Sequence, residues 1–187
     1  MFNNRAAKRF FCVDNFYKDP YAVRKFALAQ EFVESDYHKG KRTTQQFLFK
    51  GLKERFEQII GETITEWESH GMCGRFQYCT PDDPLVYHCD NQRWAAAIYL
   101  TPNAPYDTGT SFFAHKETGL RHKHDPDLEK VFNTGYYLDK TPYETVDTVG
   151  NVFNRLVIWD GRLLHCPTQY FGFNKENSRL FQIFFFD

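Results

Sequence analysis

Two histidines, one aspartate and one arginine have the types and spacing of an enzyme site. His88 and Asp90 are separated by one residue, and His165 follows much later in the chain. Two imidazoles and one carboxylate are the ligands of the facial triad, which holds Fe(II) and leaves its opposite face open for substrate and O₂. Arg179 lies fourteen residues after His165, and its planar charged fork suits a dicarboxylate co-substrate. These four residues therefore predict an iron centre with an anionic co-substrate.

The segments that carry these residues have the patterns of β-strands. Residues 85–90 form a short apolar run after a turn that is rich in Pro and Asp at 81–84. Alternate residues of a strand share a face, so His88 and Asp90 should lie side by side while Tyr87 and Cys89 point away. His165 and Arg179 fall in further strands predicted at 163–169 and 179–186. The pattern thus places the site on strands.

A third predicted strand, 94–101, carries Ala95, Ala97 and Tyr99 on one face. Two small side chains beneath a tyrosine favour the wall of a cavity of small-ligand size, and the phenol could donate a hydrogen bond to a carboxylate. Strands rich in alanine also pack closely against helices, so this pattern alone leaves both interpretations open.

Several short segments then follow one another in a characteristic order between about residue 70 and the end. They are YHCD at 87–90, AIYL at 97–100, TGTSFF at 108–113, NRLVIW at 154–159, LH at 164–165 and SRL at 178–180. In this order and spacing the chain resembles the iron(II)- and 2-oxoglutarate-dependent oxygenases, particularly their prolyl-hydroxylase-like branch. The segment FCVDNFY at 11–17 also resembles the start of that family.

The resemblance implies that His88, Asp90 and His165 bind Fe(II). It further implies that Arg179 binds the distal carboxylate of 2-oxoglutarate, assisted by the Tyr99 hydroxyl, and it adds no catalytic side chain beyond the metal centre. Members of the family use O₂ to hydroxylate a C–H bond while 2-oxoglutarate becomes succinate and CO₂, and ascorbate or a similar reductant can support them. The implied substrate is a peptide or protein side chain such as proline, with a free amino acid or another small metabolite as the alternative.

The chain departs from the prolyl-hydroxylase pattern between His165 and Arg179. Residues 170–177 form a loop rich in Gly and Asn, which predicts a hairpin extension. Lys175 lies in this loop, ten residues after His165, where some relatives use a lysine to bind the co-substrate. We assign this role to Arg179, because it lies in an apolar strand and Lys175 in a polar turn.

Two other functions remain open from the sequence. One is a non-catalytic, cupin-like binding module that retains the metal ligands, although such a module has no need of Arg179. The other is a zinc-dependent hydrolase with the same three ligands, which would need a general base near the metal.

Composition predicts one domain of 1–187, with a supporting strand and helices in 1–62 and a jelly-roll core in 63–187. A net charge of −1 argues against nucleic acid as the main partner.

The sequence also indicates where the protein is found. Neither a membrane span nor a signal peptide is indicated, so we expect a cytoplasmic protein. The five cysteines lack a CxxC pair, which argues against disulfides and a cysteine-bound zinc.

The expected fold is mainly β with N-terminal helices, a double-stranded β-helix (jelly roll, cupin-like) with two helices packed on one sheet. We predict a strand at 10–17, helices at about 20–31 and 43–61, and an irregular polar segment at 33–43. Further strands are predicted at 63–69, 74–80, 85–90, 94–101, 109–115, 143–149, 155–160, 163–169 and 179–186. The last of these is apolar on both faces, which predicts a central strand with the helices on its outer side.

Three more histidines, His115, His122 and His124, lie in or beside a charged segment. Their surroundings favour a solvated or substrate-facing loop over a second metal site. The long polar stretch 116–150 could act as a lid that selects the substrate, or it could be structural.

Overall fold

A computed structural model describes residues 10–35, 38–127 and 136–187. In these residues there are two α-helices, α1 (Pro20–Leu28) and α2 (Leu52–Ile60), and two short 3₁₀ helices, Tyr106–Thr108 and Tyr136–Leu138. The strands are β1 (Phe10–Val13), β2 (Phe32–Ser35), β3 (His38–Thr43), β4 (Arg75–Cys79), β5 (Trp94–Tyr99), β6 (Thr110–His115), β7 (Tyr143–Val149), β8 (Leu156–Asp160), β9 (His165–Pro167) and β10 (Arg179–Phe186).

The strands form two sheets whose neighbours are antiparallel. The major sheet has seven strands in the order β1-β8-β5-β10-β4-β3-β2, and the minor sheet has three in the order β7-β6-β9. Phe112 of the minor sheet packs with Val157 and Phe181 of the major sheet in one buried cluster. The two sheets therefore face each other across an apolar core, which agrees with the predicted jelly roll.

Strand β10 is the middle strand of the major sheet, as its sequence predicts. Leu180, Phe184 and Phe186 belong to the outer cluster that includes the helices. Phe181 lies on the opposite face, in the cluster between the sheets. Because both faces of β10 are covered by protein, its side chains are apolar on both sides.

The two helices pack on the outer face of the major sheet. Asp19 caps α1 by accepting a hydrogen bond from the Ala22 amide, with Pro20 in the first turn. Helix α2 ends at Gly61, whose φ of 77° is the left-handed conformation that glycine favours. Phe56 of α2 has its ring centroid 4.9 Å from that of Phe184, and Ala27 of α1 lies in the same cluster. The predicted helical cover is confirmed.

The prediction that α2 begins near residue 43 is wrong by about two and a half turns, because the helix starts at Leu52. Phe47 has the spacing of a helical residue but lies outside the helices and strands. Its amide donates to the Gly74 carbonyl at 3.1 Å, and its ring stacks on Phe76 with centroids 5.3 Å apart. These tertiary contacts outweigh the local helical pattern.

Two other predicted segments differ from the structure. Residues 33–43, predicted to be irregular, contribute to β2 and β3 at the edge of the major sheet, where polar side chains are tolerated on the exposed face. Residues 63–69, predicted to be a strand, join no sheet. The amides of Thr65 and Glu66 instead donate to the Asp187 carbonyl, so this segment covers the end of the sheet.

All five cysteines are free, as the sequence predicts. Among the described residues, no helix combines the length and the hydrophobicity that crossing a membrane requires.

Replacing Phe56 with alanine should destabilise the protein by about 3–5 kcal/mol, because this side chain is fully buried and its removal leaves a cavity. Urea unfolding followed by circular dichroism would measure the change. Phe173→Ala is the matched control: the Phe173 side chain is 81% exposed, so its loss should change stability by no more than about 0.5 kcal/mol. Equal effects of the two substitutions would contradict the assigned core.

Candidate metal centre and its cavity

The His88 and His165 backbones pair directly. The His88 amide donates to the His165 carbonyl at 3.0 Å, and the His165 amide donates to the His88 carbonyl at 2.9 Å. Residues opposite each other in an antiparallel pair project to the same side of the sheet. The sequence predicts a full strand at 85–90, but this segment pairs with β9 only through the bridge between His88 and His165. The bridge is nevertheless sufficient to set the two imidazoles side by side.

Asp90 completes the group from the same segment. Its amide donates to the Gly161 carbonyl at 2.8 Å. The Asp90 carboxylate oxygens lie 3.4 Å from His88 Nε2 and 3.5 Å from His165 Nε2, and one ligand atom from each residue falls within 4.8 Å of the others. Bonds of roughly 2.1 Å to a metal place adjacent ligand atoms roughly 3 Å apart, so this arrangement fits one metal ion.

Both imidazoles are oriented by backbone carbonyls. His88 Nδ1 lies 2.9 Å from the Val86 carbonyl, and His165 Nδ1 lies 2.7 Å from the Leu163 carbonyl. A carbonyl only accepts, so each Nδ1 carries the hydrogen and each Nε2 presents its lone pair to the centre. Burial, together with the neighbouring His88, lowers the pKa of His165 to about 4. His165 is therefore neutral near pH 7, as a metal ligand must be.

The Asp90 carboxylate is the anionic member of the group. Burial alone raises its pKa, but the interactions with His165, His88 and Arg42 outweigh burial and lower it. One of its oxygens, Oδ2, is buried and has no hydrogen-bond donor in the described structure. A buried carboxylate oxygen without a donor is costly. The donor set and this oxygen together fit a divalent cation.

The triad opens into a cavity of about 430 Å³ between the two sheets. This is within the range of small-molecule sites. Its described lining consists of Lys39, Arg42, His70, Met72, Gln77, Val86, His88, Asp90, Gln92, Thr110, Trp159, His165, Pro167, Tyr170, Arg179, Phe181, Ile183 and Phe185. Three ligand candidates and the predicted arginine thus meet in one cavity, although they come from distant parts of the chain.

Arg179 is 2% exposed and is held at the cavity by the segment before β6. Its Nε donates to the Thr108 carbonyl at 2.9 Å and its Nη2 to the Gly109 carbonyl at 3.2 Å. The guanidinium carbon lies 4.4 Å from the centroid of the Phe181 ring. No salt bridge to Arg179 occurs among the described residues. The buried charge therefore has carbonyl acceptors but no protein anion, which suits an anionic ligand.

Tyr99, predicted to line the cavity, lies behind it. Its hydroxyl is 2.9 Å from the Thr110 hydroxyl, and Thr110 is the residue that reaches the cavity. Ala95 and Ala97 are buried in the core between the sheets, so they neither line the cavity nor pack against a helix, and both interpretations of the alanine pattern are wrong. The wall consists instead of larger side chains, including four from the inner face of β10.

Lys175 is separate from the cavity, since its ammonium group donates to the Leu28 carbonyl at 2.8 Å.

The other histidines of the sequence prediction have protein partners. His122 Nε2 lies 3.3 Å from an Asp160 oxygen, and His115 Nδ1 lies 2.8 Å from the Thr118 hydroxyl. In the described part of the chain, the triad is the group of residues that could hold a metal ion. The proposed lid, 116–150, includes β7 and extends over 128–135, which lie outside the described residues.

Sequence reasoning missed Arg42 and Gln77. Arg42 lies on β3 directly opposite Gln77 on β4, and both side chains reach the cavity. The segment HKGKRT of β3 has no apolar alternation, so no local signal distinguishes Arg42 from its solvated neighbours. Only the pairing of β3 with the major sheet brings it inside.

Gly161→Ala should weaken the binding of a divalent metal ion such as Fe(II) at the candidate centre about tenfold or more, as loss of a supporting contact to a ligand usually does. A Cβ at this position would lie 2.8 Å from the Gln92 carbonyl and 3.2 Å from Asp90 Cβ, and would displace the Asp90 carboxylate. Anaerobic calorimetric titration would measure the affinity. Gly71→Ala is the control, because a Cβ there meets nothing within 4 Å. Unchanged affinity in Gly161→Ala would contradict the placement of Asp90.

Three solved structures illustrate what the fold is similar to. HygX from Streptomyces hygroscopicus with nickel and 2-oxoglutarate bound aligns with a TM-score of 0.62 at 13% identity, covering 95% of this chain and 82% of that one. A prolyl hydroxylase from Trichoplax adhaerens, in complex with a peptide fragment of the hypoxia inducible factor oxygen degradation domain, aligns with a TM-score of 0.54 at 14% identity over 95% and 83% of the two chains. A Pseudomonas putida prolyl-4-hydroxylase gives 0.53 at 13% identity over 96% and 93%.

These likenesses confirm the predicted fold, a jelly roll similar to those of HygX and the two prolyl hydroxylases. No curated protein sequence matches significantly. The sequence profile of a family of unknown function, DUF6445, matches residues 3–170. Because this match spans most of the sequence, the chain belongs to the DUF6445 family.

Proposed function

We propose that this protein is an Fe(II)- and 2-oxoglutarate-dependent oxygenase that hydroxylates a C–H bond. The observation that carries the proposal is the meeting of two kinds of site in one cavity. His88, Asp90 and His165 present an open set of three metal ligands, and Arg179 presents a buried cation without a protein anion. An iron enzyme with a dicarboxylate co-substrate needs both.

In this proposal His88, Asp90 and His165 hold the iron, which supplies the activation of O₂ when bound. Arg179 pairs with the distal carboxylate of 2-oxoglutarate, since Nε and Nη2 are held by backbone carbonyls and the rest of the guanidinium remains for a ligand. Thr110 lies beside it, 3.4 Å from Arg179 Nη2. Tyr99 then contributes by positioning the Thr110 hydroxyl, rather than by binding the carboxylate itself.

The surrounding side chains exclude water from the same region. The Phe181 and Tyr170 rings lie beside the Arg179 guanidinium, with centroids 4.4 Å and 6.0 Å from its central carbon. An ion pair is stronger where water is excluded. The His88 side chain is 41% exposed, so the metal centre remains accessible on that side. Substrate and O₂ can therefore reach the metal centre without passing the buried end of the cavity where Arg179 lies.

The two alternative functions have less support. A zinc hydrolase with the same three ligands has no need of an arginine that faces its metal cavity, yet Arg179 lines this one. A metal-binding module without catalysis needs no buried cation beside its metal, but Arg179 is 2% exposed and lines the cavity.

The substrate has two candidate classes. The Trichoplax prolyl hydroxylase was solved with a peptide and HygX with hygromycin B, so one fold accommodates a peptide or a small molecule. A peptide or protein side chain such as proline follows from the sequence resemblance and stays a prediction. A small metabolite is favoured by the second buried cation in the cavity, Arg42.

With Fe(II), 2-oxoglutarate, O₂ and ascorbate, the purified protein should release succinate. His165→Ala should abolish this release, because the two remaining ligands hold the metal poorly. Succinate is measured by chromatography. His115→Ala is the matched control, since His115 contacts Thr118 outside the cavity and its loss should leave succinate release intact.

The same assay can screen substrates. Free amino acids, other small carboxylic acids, proline-containing peptides and short oligonucleotides would be compared for their stimulation of succinate release. Stimulation by a peptide alone would support the prolyl-hydroxylase-like prediction. No release above background with any class, together with no anaerobic charge-transfer band from Fe(II) and 2-oxoglutarate, would refute the proposed function.

Arg179→Ala should weaken 2-oxoglutarate binding by a factor of roughly 30 or more, because a buried charge-assisted pair is lost. Iron affinity should change little, since Arg179 is not a ligand. Lys175→Ala is the control, with its ammonium group on the Leu28 carbonyl. The visible charge-transfer band of the anaerobic complex measures both affinities. A large effect of Lys175→Ala with a small effect of Arg179→Ala would reverse the assignment.

A further inference from the structure

Arg42 is a second buried cation in the cavity, separate from Arg179. It is 7% exposed, and both its Nε and Nη2 donate to Gln77 Oε1, at 2.8 Å and 2.5 Å. Gln77 is itself fixed, because its amide nitrogen donates to the Lys39 carbonyl at 2.7 Å. The guanidinium is thus oriented by a neutral amide, and its remaining N–H groups are available to a ligand.

No carboxylate of the described residues forms a salt bridge with Arg42. Burial lowers its pKa to about 10, far enough above neutrality that the side chain stays charged. A buried charge that is hydrogen-bonded to an amide oxygen, and that Asp90 reaches only from beyond salt-bridge distance, is incompletely compensated. Its position on the cavity wall indicates that the missing anion comes from a ligand.

Arg42 and Arg179 lie on different parts of the cavity wall. Arg42 pairs across the sheet with Gln77, and Gln77 pairs with Phe181, which is two residues after Arg179 on β10. Strands β3 and β10 are separated by β4, so their backbones are roughly 10 Å apart. The two arginines can therefore hold two separate anionic groups.

The charges of the proposed complex leave the cavity with an excess of positive charge. Fe(II), Arg179 and Arg42 contribute four positive charges, against three negative charges from the two carboxylates of 2-oxoglutarate and from Asp90. One positive charge, together with that of the exposed Lys39 at the same wall, therefore remains in excess. An anionic group on the substrate would balance it.

The rest of the cavity lining indicates what the remainder of the ligand, beyond its anionic group, is made of. Phe181, Ile183 and Phe185 extend along the inner face of β10, with Trp159 beside them. The Trp159 Nε1 and the His70 Nδ1 are buried and lack hydrogen-bond partners in the described structure. The cavity thus combines an apolar wall with a cation and with polar atoms that could form hydrogen bonds with a ligand.

Building on the proposed function, we infer that the oxidised substrate is a small carboxylic acid with an apolar carbon skeleton, and that Arg42 binds its carboxylate. Arg42 then determines specificity by orienting the skeleton between the apolar wall and the metal. Gln77 is a positioning residue that fixes the guanidinium.

The test uses the Fe(II)- and 2-oxoglutarate-loaded protein without O₂. The probes are aliphatic and aromatic carboxylic acids and N-acetyl amino acids, each paired with its primary amide. Calorimetry measures their binding, and the charge-transfer band measures 2-oxoglutarate. At least one acid should bind roughly 30-fold or more tightly than its amide, as expected for a buried charged pair.

Variants of Arg42 should separate its role from that of Arg179. In Arg42→Gln the preference for acid over amide should fall to about threefold or less, while 2-oxoglutarate affinity changes by no more than about threefold. Arg42→Lys should retain part of the preference, because it keeps the charge. Gln77→Leu keeps Arg42 and removes its acceptor, so it should reduce the preference even if Arg42→Gln folds poorly.

Three results would overturn the inference: no probe acid preferred over its amide, a preference that survives in Arg42→Gln, or a loss of 2-oxoglutarate binding in Arg42→Gln as large as in Arg179→Ala. Failure of the proposed function is recognised separately, by the absence of 2-oxoglutarate binding to the wild-type protein. The acid and amide titrations are repeated with Fe(II) alone, so that the contribution of Arg42 is measured in either case.

Discussion

The backbone pairing of His88 with His165 is the constraint on which the candidate site depends. It joins the segment 85–90 to β9, so that both imidazoles leave the minor sheet on the side that faces the major sheet. The hydrogen bond from the Asp90 amide to the Gly161 carbonyl then sets the third ligand. Since the Nδ1 atoms are also held by carbonyls, the ligand geometry is built into the backbone and needs little side-chain adjustment.

Electrostatic balance is the second organising feature. The cavity contains two buried guanidinium groups, from Arg42 and Arg179, and a single carboxylate, from Asp90, among its described residues. The protein holds the guanidinium groups with neutral oxygens, from Gln77 and from the Thr108 and Gly109 carbonyls. Such acceptors orient a cation but do not neutralise it. A site of this kind is completed by anionic ligands, which connects the fold of the major sheet to the proposed chemistry.

Local patterns were enough to predict most of the elements. The central position of β10 follows from apolar residues on both of its faces, and the start of α1 follows from Asp19 before Pro20. The prediction failed where distant residues supply the hydrogen bonds. The segment 63–69 looks like a strand but bonds to Asp187, and Phe47 looks helical but bonds to Gly74. Propensity and alternation are properties of short segments and contain no information about such partners.

Side-chain chemistry and strand alternation are local properties, and from them the sequence predicts the types and order of the candidate ligands, an arginine for an anionic co-substrate and the resemblance to a family. The tertiary structure, and no local pattern, places Tyr99 behind Thr110 and Lys175 away from the cavity. It also decided that Arg42, from a polar edge region, reaches the cavity. The register between strands far apart in the chain sets these positions, and packing of the two sheets fixes that register.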